Sequence, residues 1–392
     1  MRITIVGAGI MGLTTAWGLA KRGHQVTLVE QAATIPSSLA ASGDQHRMIR
    51  RAYGALGGYA TLITEAYDAW DELWADLDAT HYVPAGVLCV SQRPGDEADR
   101  FRQGFDDAGT PYERMAPDDA AARFPFLEAA TFQYAFHTPE GGVLLCQRIA
   151  RDLARWLARN GVTLRTATRV AGLDPERAIV TLDTGEAIAS DLIVTTAGAW
   201  VLGLLPDLAS ALRIYRTAVV YLDPPADLAA AWATAPAILS VGGACDGYVL
   251  PPVAGTGLKF GAGFMRRPAH DPEADRMPEL GEGLRLRDAF APPFARISEY
   301  RVRDVVTCAY TFTEDHCFFG RQIGKVLAVS ACSGHGYKFG ASVGRRVADA
   351  IDRDEIDLLP RWLRAELVLQ LHISPTLVVA DGCRCLMSSS PQ

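Results

Sequence analysis

Apolar residues in the first thirty positions change their spacing twice, and each change marks an element. Ile3, Thr4, Ile5 and Val6 form an unbroken, mostly β-branched run, the pattern of a strand buried on both faces. Over 13–22 the spacing turns helical, with Ala16, Leu19 and Ala20 on one face and Gly23 as the stop. Residues 25–29 make a second strand. The alternation returns far along the chain. Residues 191–196 and 325–331 read as buried strands leading into glycine turns. Residues 146–160 read as an amphipathic helix with Ile149, Leu153, Trp156 and Leu157 on one face, and 340–351 as a helix with Val343, Val347 and Ala350 inward. Short strands are expected near 162–166 and 177–182. The stretches 84–142 and 214–311 carry Pro/Gly punctuation and alternating apolar runs, a pattern of antiparallel strands.

These segments predict an α/β chain. A Rossmann-like nucleotide-binding domain is assembled from discontinuous pieces, 1–83, 143–213 and 312–360. A mostly antiparallel α+β substrate domain takes 84–142 and 214–311, and 361–392 is a tail of no assigned role. The alanine-rich stretch at 226–237 is compositional bias, and no internal repeat is present.

Between the first strand and the first helix lies Gly7-Ala8-Gly9-Ile10-Met11-Gly12, and Glu30 ends the second strand 21 residues beyond Gly9. Each part suits a dinucleotide. Gly7 permits a tight turn, Gly9 lets backbone approach a pyrophosphate, and Gly12 lets helix and strand pack closely. The helix N-terminus favours phosphate charge, and Glu30 can accept hydrogen bonds from a ribose. The acid favours FAD or NAD over NADP without separating the first two.

Composition narrows the partners. With 38 Lys+Arg against 45 Asp+Glu the net charge is −7, and there is no basic block, so a nucleic-acid partner is not expected. No apolar run is long enough for a membrane span, and glycines at 7, 9 and 12 interrupt what could otherwise mimic a secretory signal. The 8 cysteines are scattered without a CxxC pair, which suits free thiols in a reducing, cytoplasmic compartment. Cys308, His316, Cys317, Cys332 and His335 lack the paired spacing of a zinc site, so no metal is expected. A monomer or small homo-oligomer is expected.

Five blocks, in order, carry a family resemblance: the glycine unit from Ile3 to Glu30; SGDQHRMIRRAYG from Ser42; DLIVTTAGAW from Asp191; GLKFGAG from Gly257; and CAYTFTEDHCFFG from Cys308 followed by SGHGYK ending at Lys338. The chain resembles the monomeric sarcosine oxidase, N-methyltryptophan oxidase and pipecolate oxidase family of FAD-dependent amine oxidoreductases, within the D-amino-acid-oxidase-like superfamily. The resemblance spans about residues 1–355. It implies FAD along a domain boundary and oxidation of a carbon–nitrogen bond in a carboxylate-bearing secondary amine or amino acid. Oxygen would be reduced to hydrogen peroxide; the alternative is a dehydrogenase using another electron acceptor. The glycine fingerprint alone also suits an NAD-dependent dehydrogenase or a non-catalytic FAD-binding protein.

The resemblance assigns roles. Ile10, Met11, Ser42 and Arg47 would contact FAD from one side, and Gly198, Trp200, Gly334, Gly336 and Lys338 from other segments. Cys308 would form a thioether to the flavin 8α-methyl, although burial statistics alone make it a small hydrophobe. Arg50 and Lys338 would clamp the substrate carboxylate, guanidinium and ammonium being suited donors. Tyr248 and Tyr310 would line the same pocket. His335, in a glycine-flanked turn before a helix, would stabilise negative charge on the flavin. Lys259 would activate oxygen, with Gly257 and Gly261 admitting a flat ring beside its ammonium; alternation alone would send it to solvent. Two departures stand out. Asp44-Gln45-His46-Arg47 has one residue more than the GDTR form of sarcosine oxidase itself, and Gly263 replaces a histidine.

Overall fold

In a computed structural model of the chain, residues 1–53, 57–107, 109–245, 247–279 and 281–367 are described. The first strand, Arg2–Val6, lies inside a six-stranded sheet between Gln25–Val29 and Leu192–Thr195. Thr163–Arg165 extends it on one side, and Val326–Ser330 then Phe319–Ile323 on the other. All pairings are parallel except that of the Phe319–Ile323 edge. The strands thus come from three distant stretches, and both faces of the central ones are apolar because helices or a second layer cover them. Residues 177–182 do not join this sheet. Ile179–Leu182 pairs with Val170–Asp174 and Ala187–Ala189 in a separate three-stranded sheet.

The first helix runs Ile10–Lys21, beginning three residues before the periodic pattern does. Its residues from Ile10 to Leu19 are all buried, so its first turn shows no polar face. One side packs on the helix Gly340–Asp352, where glycine is required: a Cβ on Gly344 would lie 2.3 Å from the carbonyl carbon of Thr14. Thr14 also donates its hydroxyl to the Gly340 carbonyl at 2.8 Å.

The second sheet has nine strands. Arg213–Asp223 pairs along its whole length with Arg301–Phe312, placing Thr217 opposite Cys308 and Tyr215 opposite Tyr310. Leu258–Ala262, Gly247–Leu250 and Ala237–Ser240 follow. Every pairing is antiparallel except that of Ala237–Ser240 with Val87–Ser91. Phe260, Trp232, Phe290 and Phe294 form its aromatic core.

Part of the expected tail is structured. Leu359–Leu363 is helical, Trp362 and Leu363 are buried, and Tyr59 donates to the Leu363 carbonyl at 2.8 Å. Burial of a leucine such as Leu363 contributes about 1.5–3 kcal/mol. Residues 368–392, with Cys383 and Cys385, lie outside the described residues, as does Gly54 of the second block. Among the described residues no helix is long and apolar enough to cross a membrane.

Candidate functional site

A cavity of about 670 Å³ runs between the two sheets, inside the roughly 300–1,000 Å³ range of small-molecule and cofactor sites. Its first end is the glycine turn. Gly7, Gly9, Ile10 and Met11 line it, whereas Gly12 stands behind: a Cβ there would lie 1.9 Å from the Gly7 carbonyl oxygen. Gly9 is the helix N-cap and offers no side-chain cap, and with Ile10 and Met11 it brings the first turn to the cavity wall. Ser42 accepts from the Ile10 N–H at 3.2 Å. Glu30 is buried in the wall and accepts from the N–H groups of Ala8 at 2.8 Å and Ala32 at 2.9 Å, one to each oxygen. Each carboxylate oxygen keeps a lone pair for a hydroxyl. Gly198 and Trp200 continue this wall. A helix start at the cavity wall, a glycine cradle and an acid beside it fit a dinucleotide such as FAD.

At the other end two cations face the cavity. Arg50 lies over the Tyr53 ring at 4.5 Å and the Phe101 ring at 5.1 Å, and its buried Nη1 has no hydrogen-bond partner. Lys338 is 6% exposed and donates to the His335 carbonyl at 2.9 Å. The indole of Trp70 donates to the Lys338 carbonyl at 2.7 Å and fixes the turn. Burial, then the neighbouring Arg50, push the Lys338 pKa well down. Glu97, on the helix that carries Phe101, lines the same cavity, and the two cations lie close enough for Arg50 to act on Lys338. Such a pair suits an anion brought in from outside.

Gly334 and Gly336 bracket His335 in this wall. The His335 ring stacks on Phe318 at 4.6 Å and its Nε2 bonds the His316 carbonyl at 3.0 Å, which assigns the proton to Nε2. Burial and Lys338 keep the imidazole pKa well below its usual value, hence neutral. Tyr248 and Tyr310 also line the cavity. Burial raises the Tyr248 phenol to about 12, and Tyr310 receives Arg47 Nη2 at 3.4 Å.

Two expected site residues stand just outside the wall. Cys308 is buried at 4% exposure, and burial raises its thiol pKa against the pull of Arg47. Cys332, in contrast, lines the cavity. Lys259 is fully buried. Alternation does separate it from Leu258 and Phe260, which enter the aromatic core. Its ammonium turns to Asp44 at 2.9 Å and the His46 carbonyl at 2.5 Å. The flanking glycines do not make room for a cofactor ring. A Cβ on Gly261 would lie 2.6 Å from the Tyr248 ring, and one on Gly257 2.5 Å from the Arg303 guanidinium. Their space belongs to those side chains.

Sequence reasoning missed Tyr53 and Phe101, which sandwich Arg50, and Asp44, which holds Lys259. Tyr53 and Asp44 sit inside a quoted motif. Phe101 is on the helix Glu97–Asp107, where its buried spacing with Ala98 and Phe105 marks a packed face but no chemistry.

The family model for FAD dependent oxidoreductases matches residues 2–350. Peroxisomal sarcosine oxidase of Homo sapiens is 24% identical across 87% of the chain and 89% of its own length. Monomeric sarcosine oxidase of Bacillus sp. (strain B-0618) is 25% identical across 87% of the chain and 90% of its own length. The open form of NikD, an unusual amino acid oxidase essential for nikkomycin biosynthesis, shares the fold with a TM-score of 0.75 over 90% of this chain and 94% of that one, at 21% identity.

Proposed function

Because the chain belongs to the FAD-dependent oxidoreductase family, we propose that it is an amine oxidase that oxidises the carbon–nitrogen bond of a carboxylate-bearing secondary amine or amino acid. The observation that carries this reading is the Arg50–Lys338 pair, two cations facing one cavity, with the buried Arg50 Nη1 lacking a hydrogen-bond partner. Sarcosine, the substrate in the names of the relatives, is itself such an amine.

FAD bound in this cavity would supply a hydride acceptor for the substrate α-carbon and a two-electron donor for the reduction of oxygen to hydrogen peroxide. The chain's residues do the rest. Gly7, Gly9, Ile10 and Met11 would present backbone to the pyrophosphate, and Glu30 would hold the ribose. Ser42, Arg47, Gly198, Trp200, Gly334 and Gly336 complete the cofactor's wall. Arg50 and Lys338 hold the carboxylate and so orient the α-carbon. Tyr248 and Tyr310 exclude water, and the neutral His335 leaves Nδ1 as an acceptor. The amine reacts in its neutral form, and the imine product then hydrolyses in water. Lys259 supplies positive charge for oxygen reduction. Cys308 carries the covalent link to FAD, supported by its place on the same strand as Tyr310.

The test is selective loss. Arg50→Ala and Lys338→Ala should each weaken capture of carboxylate-bearing amines by about 1.5–3 kcal/mol, the range for hydrogen bonds to charged groups. Decarboxylated analogues should be indifferent to both changes. Equal losses with and without a carboxylate would refute the clamp.

A further inference from the structure

Asp44 is a buried acid that the proposed chemistry does not use. Its carboxylate, in a residue 6% exposed, gathers Lys259 Nζ at 2.9 Å, Arg47 Nη1 at 2.5 Å, the Tyr221 hydroxyl at 2.5 Å and the Gln45 N–H at 2.7 Å. Burial opposes its charge, but Lys259, Arg47 and the Tyr221 hydroxyl outweigh that and hold its pKa far below the ordinary value. Two cations thus share one anion. Arg47 reaches the cavity wall, while Lys259 lies behind it.

The segment is also where the chain has one residue more than GDTR, and Gln45 makes use of the longer path. Its Oε1 accepts from the Gly257 N–H at 2.8 Å, two residues before Lys259, and its carbonyl accepts from the Cys146 N–H at 3.1 Å. The turn is thereby bolted to the strand that carries the lysine.

We propose that Asp44 is a positioning residue for the oxygen half-reaction, the counter-ion that keeps Lys259 an ammonium where water is excluded, with Gln45 fixing the strand on which the pair forms. The proposal rests on the reading of Lys259 as the oxygen-activating charge. An ammonium out of water gives up its proton unless an anion faces it. Six groups face Lys259: Asp44, His46 and Arg47 on the turn, Tyr221 on the adjacent strand, Cys146 at a helix start and Cys308 on the long strand. Asp44 alone of the six is an anion. Burial raises the Cys146 thiol to about 11, raises the Cys308 thiol and the Tyr221 phenol as well, and keeps His46 neutral. Arg47 pushes Lys259 toward deprotonation, so without Asp44 no anion opposes it.

The sign of the pH effect follows. A lysine is charged below its pKa, and Asp44 raises that pKa, so removing Asp44 makes the charge disappear at lower pH. The enzyme, reduced with dithionite and mixed with air-saturated buffer, is followed by its flavin absorbance across pH. In Asp44→Asn the reoxidation profile should move toward acid by about 1–3 units, with the rate recovering at low pH, and Asp44→Glu should restore most of the wild-type profile. A second readout needs no turnover. At acid pH, where the unpaired ammonium is still charged, Asp44→Asn combined with Lys259→Met should unfold at higher temperature than Asp44→Asn alone, because the uncompensated charge is gone. An Asp44→Asn profile that superimposes on wild type, while Lys259→Met is slow, overturns the proposal, as does a double variant less stable than the single. Lys259→Met reoxidising at the wild-type rate overturns the oxygen reading beneath it.

Discussion

If Arg50 and Lys338 clamp one carboxylate, as proposed, they meet it with different proton chemistry. A guanidinium stays charged at any pH the protein tolerates, whereas burial and Arg50 pull the Lys338 pKa well down. Its ammonium is complete below that lowered value and is lost as pH rises through it. Capture of a carboxylate should therefore weaken on the alkaline side earlier than an ordinary lysine would dictate. Lys338→Arg should flatten that limb of the KM profile; an unchanged limb would show that another group titrates there. Cys308 makes a second residue-level prediction. If it carries the flavin, acid precipitation leaves yellow colour in the pellet, and Cys308→Ala releases it to the supernatant. Colour retained in the Cys308→Ala pellet would move the link to another thiol, Cys332 in the cavity wall being the nearest candidate by position.

At the scale of elements, the glycine turn and its helix are where the sequence was most legible. Strand 25–29 and the helix start at Cys146 agree with the periodic pattern, because each buries one clear face or a short β-branched run. The first helix hid its own beginning. Ile10, Met11 and Gly12 are buried on every side, and a turn without a polar face gives no amphipathic signal. Its start matters because Gly9, Ile10 and Met11 line the cavity there. Gly12→Ala would force a methyl against the Gly7 carbonyl, so the variant should purify without yellow colour yet keep its helical and sheet content by circular dichroism. Full flavin occupancy in Gly12→Ala would deny that the turn needs its close approach. Pairings between distant segments, such as Ala237–Ser240 parallel to Val87–Ser91, left no trace in local spacing.

The whole molecule places one cavity between two sheets, and its walls come from segments hundreds of residues apart, from Gly7 to Lys338. The family blocks made most of that wall readable. What they left out follows from chemistry that only packing decides. Strand alternation could orient Lys259 but could not show that Asp44, rather than solvent or a cofactor, awaited it. Nor could it show that Gly261 makes room for Tyr248. Phe101 was a core residue by pattern and becomes a wall of the anion site only because its helix lies against Arg50.

The central claim is that this cavity joins FAD to a carboxylate-bearing amine, and anaerobic titration of the purified protein tests it most directly. The visible spectrum should show bound flavin, and a panel of N-methyl, cyclic and sugar-linked amino acids should contain at least one that bleaches it. Admission of air should then restore the colour and release hydrogen peroxide in step with the flavin reoxidised. A flavin that no carboxylate-bearing amine bleaches, while decarboxylated amines do, would contradict the account at its core.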